Sequence, residues 1–278
     1  MRQSDKMDYK LPKRIENSNK STYGRVLNLA GSDYMSGAAY LSSVSALKTG
    51  CGYCFLCSTD RVMDIVAAKT SNIVFLPLSD LTQNLDSFDV VMCGCGLSQS
   101  DVALANLTDL FAGLNPKTPL VIDADAINLI SKTPQIFLSK RFEKVIMTPH
   151  PKEAARLLNS SVEDVLADVR LSAEKIAAKY NCVTVLKTHN TVIVSPSGEF
   201  YENHTGNNSM AKAGSGDVLT GMISGIAAQG ANLFEAAVLG VYLHGMSGEI
   251  ASKSLTNYSV MAEDLIANIP NAIMQLGV

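Results

Sequence analysis

From Tyr23 onward the sequence alternates short apolar runs with helix-length amphipathic stretches, and most of the runs end on a polar or glycine-bearing motif. This pattern constrains the fold more than any other feature of the chain. A strand covered on both faces reads as a continuous apolar run, and a parallel neighbour requires a crossover helix before the next one. The pattern predicts strands over 26–30, 53–56, 90–92, 120–122, 145–147 and 183–186, with helices over 38–48, 61–69, 102–114, 126–131, 161–180, 217–229 and 233–252. Residues 191–195 and 199–202, separated by Pro196-Ser197-Gly198, read as a β-hairpin. The expected fold class is α/β, a three-layer sandwich with a central, mostly parallel sheet flanked by helices. No internal repeat or linker divides the chain, so an arm over 1–22 followed by a single domain over 23–278 is expected.

The strand ends then matter. The apolar runs lead into Gly31-Ser32-Asp33, Gly94-Cys95-Gly96, Asp123-Ala124-Asp125, Thr148-Pro149-His150-Pro151 and Lys187-Thr188. In a parallel α/β sheet these C-terminal strand ends share one edge, where ligands bind. Motifs spread over most of the sequence are thereby expected to converge on one cleft.

A second signal lies between Asn203 and Gly230. Gly214-Ser215-Gly216 opens directly onto a helical pattern carried by Val218, Leu219, Met222, Ile223, Ile226 and Ala227. A helix N-terminus has unpaired N–H groups and a partial positive charge, and glycines let a phosphate come close. Asp217 is odd there, because a carboxylate beside bound phosphates repels them. It makes sense either as a helix cap or as a group that must touch a substrate hydroxyl during phosphoryl transfer.

The remaining candidates carry alternative readings. Gly94-Cys95-Gly96 lacks the third glycine of a dinucleotide fingerprint and suits a loop that lets a flat ligand approach the backbone. Strand alternation places Asp123 and Asp125 on one face, where they could order a magnesium hydration shell, or one of them could cap the next helix. His150, on a rigid turn between two prolines, is expected to meet a ligand, with Glu153 as a possible structural partner. Lys187, with Thr191 four residues on, could bring an ammonium to phosphates or simply end a strand at the surface. His244 sits at helical spacing among Leu239, Gly240 and Leu243, which reads as a buried structural role, while His189 and His204 fall in cleft-side loops without metal-ligand spacing. Cys51, Cys54 and Cys57 occupy an apolar strand with no second ligand pair nearby, so they read as core residues, and no protein-borne metal site is expected.

Composition excludes several classes. The net charge of −3 gives no global case for nucleic acid or an anionic membrane. No apolar run reaches the roughly 18–20 residues needed to span a bilayer. Residues 1–20 lack the apolar centre of a secretory signal, so a cytoplasmic location is expected.

Taken in order, these motifs resemble NAD(P)H-hydrate dehydratase, a nucleotide-dependent repair enzyme of the ribokinase-like superfamily. The carriers are Gly31-Ser32 with Ser36-Gly37-Ala38-Ala39, the run 46–52, and Asp123-Ala124-Asp125-Ala126-Ile127-Asn128. Thr148-Pro149-His150-Pro151 with Glu153, Val185-Leu186-Lys187, Thr205-Gly206-Asn207, Met210-Ala211 and Gly214-Ser215-Gly216-Asp217-Val218-Leu219 complete the match. It covers nearly everything from Leu11 onward. The resemblance implies that the S epimer of hydrated NADH or NADPH is phosphorylated at its C6 hydroxyl from ADP or ATP, after which phosphate leaves. It implies Asp217 as the proton acceptor, Ala39, Gly96, His150 and Asp217 around the hydrated cofactor, and Lys187, Thr188, His189, Asn190, Thr191, Gly214, Ser215 and Gly216 around the nucleotide. Asp123, Asp125, Asn128, Glu153 and Asn207 are further cleft candidates. Mg²⁺ is expected to bridge the phosphates, and a homotetramer is expected. The epimerase domain fused in some relatives is not expected in these 278 residues.

The chain departs from the family pattern in places. Thr188 and Lys152 stand where glycines are common, Cys95 where a proline is frequent, and Asn19-Lys20-Ser21 where His-Lys-Gly is common. One rival reading is a vitamin-like alcohol kinase of the same superfamily, which shares Gly214–Asp217. The other is a nucleotide-binding protein without catalysis, which would be expected to have lost the Asp217 carboxylate.

Overall fold

Each short apolar run feeds two cores at once. In β1 (Arg25–Leu29), β4 (Val90–Cys93) and β5 (Leu120–Ile122), alternate residues point to opposite faces of the sheet. Leu27, Val91, Leu120 and Ile122 enter one hydrophobic cluster, while Val26, Val90, Met92 and Val121 enter the other. The computed structural model describes residues 7–277. The remaining strands are β2 (Tyr53–Ser58), β3 (Val74–Pro77), β6 (Val145–Met147), β7 (Val183–Leu186), β8 (Val192–Val194) and β9 (Phe200–Glu202). They form one nine-stranded sheet in the order β3-β2-β1-β4-β5-β6-β7-β8-β9. Pairing is parallel from β3 to β7, and the β8–β9 hairpin adds antiparallel strands at the far edge.

The helices cover both faces. α1 (Ser36–Thr49), α9 (Ser215–Ala228), α10 (Leu233–Ser254) and α11 (Ala262–Gln275) bury one face, with Ala46, Met222, Ile223, Leu239 and Ile269 in its cluster. α3 (Asp101–Gly113), α4 (Ala124–Lys132), α5 (Gln135–Leu138), α6 (Pro151–Leu158), α7 (Val162–Ala167) and α8 (Val169–Tyr180) bury the other through Phe111, Ile130, Phe137, Leu157 and Ile176. α2 (Asp60–Ala67) closes a third, smaller cluster with Val62 and Val66.

Several elements differ from the sequence expectation, the short α5 among them. β3 is an edge strand with Val74 39% exposed, so it lacks the apolar continuity that marks a buried strand. α6 begins at Pro151 as its first residue, so the Pro-His-Pro turn is also a helix start. The helix expected over 161–180 is two helices. Asp168 interrupts it at φ −146°, and its carboxylate caps α8 by accepting from the Leu171 N–H at 2.9 Å. α11 carries Pro270 in its interior and escaped the reading. The arm is not loose where it is described. Met7, Tyr9 and Leu11 pack against the second core, and the Arg14 guanidinium lies 3.7 Å from the centroid of the Tyr23 ring. The part of the arm over residues 1–6, the start of the stretch read for a secretory signal, lies outside the described residues. No helix among the described residues is long and apolar enough to cross a membrane.

Candidate active site

α9 is brought unusually close to α1, because Gly221 and Gly225 have no side chains to hold the helices apart. A Cβ at Gly221 would strike the Ser42 carbonyl, and one at Gly225 the Ala46 carbonyl. This contact plants the first turn of α9 over the strand-end rim. Its N-cap is Gly214, at φ +91°, with Leu41 and Ala262 close against it. No side chain caps this helix and Asp217 does not serve as its cap; the Ser215 N–H donates to the Lys212 carbonyl at 3.3 Å, and the Gly216 N–H next to it has no side-chain cap.

Beneath that turn lies a buried ion pair. Lys187, directly after β7, donates from Nζ to Asp123 Oδ1 at 2.6 Å, and Thr220 Oγ1 donates to Asp123 Oδ2 at 2.8 Å. A Cβ on Gly216 would lie 3.4 Å from Lys187 Nζ and 3.9 Å from Asp123 Oδ2, so the helix start rests directly on the pair. Asp217 turns inward to the same place. Its carboxylate, the Asp123 carboxylate and the Cys95 thiol all have donor atoms within 4.8 Å of one another. Burial, and then the charge of Asp123, push the Asp217 carboxyl up to about 6, with the Cys95 thiol and Lys187 acting in the opposite direction. Burial works against the Lys187 ammonium, yet Asp123 and Glu153 outweigh it and raise its pKa above the ordinary value. Burial holds the Cys95 thiol well up, so it is neutral.

A cavity of about 730 Å³ opens beside this centre. Lys187, Lys212, His150, His189 and His244 contribute to its wall together with Ser215 and Gly216, and no carboxylate lines it among the described residues. His150 does two jobs. It is the N-cap of α6, its Nδ1 accepting from the Lys152 and Glu153 N–H groups at 3.1 and 3.2 Å. That leaves the ring proton on Nε2, 3.4 Å from Glu153 Oε1. Burial and then Lys187 lower the His150 pKa, so the ring is neutral near pH 7. Glu153 completes the capping box by accepting from the His150 N–H at 2.8 Å, and burial pushes its carboxyl up to about 7. His244 is buried, as the sequence suggested, but its ring also reaches the site. Its Nε2 lies 2.9 Å from the Ser215 carbonyl oxygen, and burial lowers it to about 4, so a neutral ring donates to the start of α9. The helical spacing around His244 gave its burial. No local signal gave a partner 29 residues away.

The structure brings Thr188, His189 and Thr191 to this cavity wall. Asn190 turns away and donates to Glu202 Oε1 at 3.0 Å. Asn207 lines the cavity while its amide donates to Ser252 Oγ at 2.9 Å. Other expectations change. Asp123 and Asp125 do not share a strand face, because β5 ends at Ile122 and Ala124 adopts φ +50°. Asp125 instead accepts from the Ser98 N–H at 2.9 Å and from Gln99 Nε2 at 3.0 Å, bracing the loop after β4. Asn128 is buried and accepts from Arg156 Nη1 at 2.6 Å, which ties α4 to α6 outside the cavity wall. Ala39 is fully buried in the third cluster. Gly96, at φ +60°, lets the same loop lie against Met35 and Ala38 of the α1 entry.

All six cysteines are buried. Cys51 and Cys54 belong to one core and Cys57 to the other, so the evenly spaced trio diverges rather than converging on an ion. Cys95, with Asp123 and Asp217, is the group that spacing could not reveal, since topology alone assembles it.

Comparison with known proteins follows the same line. The chain is 37% identical over 96% of its length to the bifunctional NAD(P)H-hydrate repair enzyme of Moorella thermoacetica, of which it covers 52%. It thus spans about half the length of that relative. It is 36% identical over 87% of its length to the ADP-dependent (S)-NAD(P)H-hydrate dehydratase of Neisseria meningitidis, covering 81% of that protein. The crystal structure of the ADP/ATP-dependent NAD(P)H-hydrate dehydratase of Bacillus subtilis, co-crystallised with ATP and Mg²⁺, superposes with a TM-score of 0.86 at 30% identity. That superposition covers 96% of this chain and 94% of the other, and the fold is ribokinase-like, as expected. A family model described as NAD(P)H-hydrate dehydratase matches residues 26–271, and the chain belongs to that family.

Proposed function

We propose that this protein uses ADP or ATP to dehydrate the S epimer of hydrated NADH or NADPH, restoring the reduced cofactor. The observation that carries the reading is the inward-facing Asp217 carboxylate beside an uncapped, glycine-bearing helix start and the buried Lys187–Asp123 pair. The C6 hydroxyl oxygen attacks the terminal phosphorus of the nucleotide, its proton passes to Asp217, and the nucleotide leaves one phosphate shorter. The reading assigns the Gly216 amide and the Lys187 ammonium to the migrating phosphoryl group. Phosphate is a far better leaving group than hydroxide. The lone pair of the ring nitrogen then expels it from C6, and loss of a C5 proton restores the 5,6 double bond.

The cavity wall offers amides, hydroxyls and ammonium groups, which suits a magnesium ion carried mainly by phosphate oxygens and water, with Asp123 and Asp217 as the nearest carboxylates. When bound, such an ion neutralises phosphate charge. The reading assigns the activity to residues 23–278 as one catalytic domain and keeps the expectation of a cytoplasmic homotetramer. Of the candidate contacts, the reading keeps Gly96 and His150 for the hydrated ring, whereas Ala39 is sealed in the core.

Product identity is the test. Purified protein with hydrated NADH, magnesium and ADP or ATP should generate the dihydronicotinamide absorbance together with free phosphate. A stable phosphorylated alcohol, formed without that absorbance, would replace the dehydratase reading with the kinase.

A further inference from the structure

A second cavity, of about 280 Å³, lies on the same rim beyond the loop that carries Cys95. The two sites share that loop. The thiol of Cys95 faces Asp217 and Asp123, the Cys95 carbonyl accepts from the Gly31 N–H at 2.8 Å, and Leu97 and Ser98 run on to form one wall of the second cavity. Asp125, which does not line the nucleotide-side cavity, braces this wall through Ser98 and Gln99. The Ser32–Tyr34 turn after β1 forms the opposite wall.

The chemistry of the second cavity is specific. Its floor is apolar, with Leu29 and Leu97, and its sides carry hydroxyl and amide groups, including Ser58, Thr59 and Asn106. Ser58 is 2% exposed, and its Oγ has no hydrogen-bond partner among the described residues, although such buried hydroxyls are normally paired. At the lip, Tyr34 is 97% exposed and presents an open aromatic face. Asp33 is the one charged side chain in the lining among the described residues, and Thr59 Oγ1 donates to its Oδ1 at 3.3 Å. No lysine or arginine joins the lining among the described residues, and Arg61 Nε donates to the Asp33 carbonyl oxygen at 3.4 Å from outside it.

We propose that this cavity receives the adenosine end of the hydrated cofactor, with its ribose unphosphorylated. The inference rests on the dehydratase reading. A dinucleotide extends well past its reacting ring, and the cationic cavity is the better host for the phosphates of the donor nucleotide. The second cavity offers what an adenosine needs: an apolar slot, an aromatic face for the base, hydroxyl partners, and a carboxylate that accepts from a ribose hydroxyl and repels a phosphate in its place. Asp33 is then a specificity residue favouring hydrated NADH over hydrated NADPH.

The experiment compares hydrated NADH with hydrated reduced nicotinamide mononucleotide, which has the same reacting ring but no adenosine. For the wild type, kcat/KM should be about tenfold or more higher for the dinucleotide, since binding energy from a remote substrate part is used at the reacting centre. Asn106→Trp, a filling change on a partly exposed helix position, should remove most of that advantage. It should leave the mononucleotide hydrate and nucleotide affinity within about twofold, which also shows that the variant is folded. Hydrated NADPH should be the poorer dinucleotide, and Asp33→Asn should narrow the gap. Equal kcat/KM for the two hydrates in the wild type, or equal losses on both in Asn106→Trp, would overturn the inference while leaving the dehydratase reading intact. Turnover of neither hydrate by the wild type would remove that reading, and this inference with it.

Discussion

The two cavities on the strand-end rim are separated by one loop, yet they are opposite in charge. The larger has two lysines in its wall beside the neutral rings of His150 and His244, no carboxylate among the described residues, and a helix start without a side-chain cap. The smaller has a single aspartate and a ring of hydroxyls in its lining and no lysine or arginine there among the described residues, with Arg61 reaching only the Asp33 carbonyl. Beside them sit Asp123 and Cys95, both buried, with the half-buried Asp217. The contrast shows how one rim can hold two ligands at once. On the proposed reading, polyphosphate is drawn to one side and turned away from the other, and Asp217 takes the substrate proton at the boundary. It also explains why Asp217 can coexist with bound phosphates. Its charge is partly withheld by burial and by the neighbouring Asp123 charge, which push its carboxyl up to about 6 against the opposing effect of Cys95 and Lys187.

The sharpest way to break this comparison is Asp217→Asn. It keeps the shape of the boundary but removes the base, and general-base groups of this kind contribute about 10²–10⁴-fold. Turnover should fall by that order while nucleotide affinity, measured by calorimetry, holds or tightens. Loss of nucleotide binding in parallel with turnover would instead place Asp217 in the cationic cavity's own machinery. Lys187→Met comes next. It strips the larger cavity of its deepest cation and leaves Asp123 buried without its ion-pair partner, which costs about 3–5 kcal/mol of stability for pairs of this kind. Thermal melting should drop by several degrees, and nucleotide KM should rise much more than KM for the hydrate. The smallest effect is on pH. Asp217 must be ionised to accept a proton, and its pKa is raised, so kcat/KM is expected to fall as pH drops through about 6 rather than through the ordinary 3.8. An acid limb near 4 would mean that the carboxylate is solvated and the boundary is not sealed.

Much of this arrangement was legible in the sequence, for identifiable reasons. Continuous apolar runs gave all the buried parallel strands, because burial on both faces leaves that trace, whereas the half-exposed β3 left none. The glycine-rich turn gave the start of α9, and Pro196-Ser197-Gly198 gave the hairpin. What failed was geometry set by a single residue. Ala124 at φ +50° turns the chain between Asp123 and Asp125 and sends their carboxylates to different partners, which alternation could not anticipate. Asn128 looked like a cleft residue because it stands in a motif with Asp123, yet Arg156 holds it within the helix layer. The place of Cys95 beside Asp217 depends on contact between residues more than a hundred positions apart, so no local pattern records it.

The central claim is that the substrate hydroxyl oxygen itself becomes bonded to phosphorus at Asp217. Hydrated NADH carrying ¹⁸O at its C6 hydroxyl, turned over with unlabelled ATP or ADP, tests it directly by mass spectrometry of the released phosphate. The account predicts one ¹⁸O atom in each phosphate formed alongside NADH. Unlabelled phosphate, with the ¹⁸O recovered in water, would show that the hydroxyl leaves without ever meeting phosphorus, and would contradict the role given to Asp217.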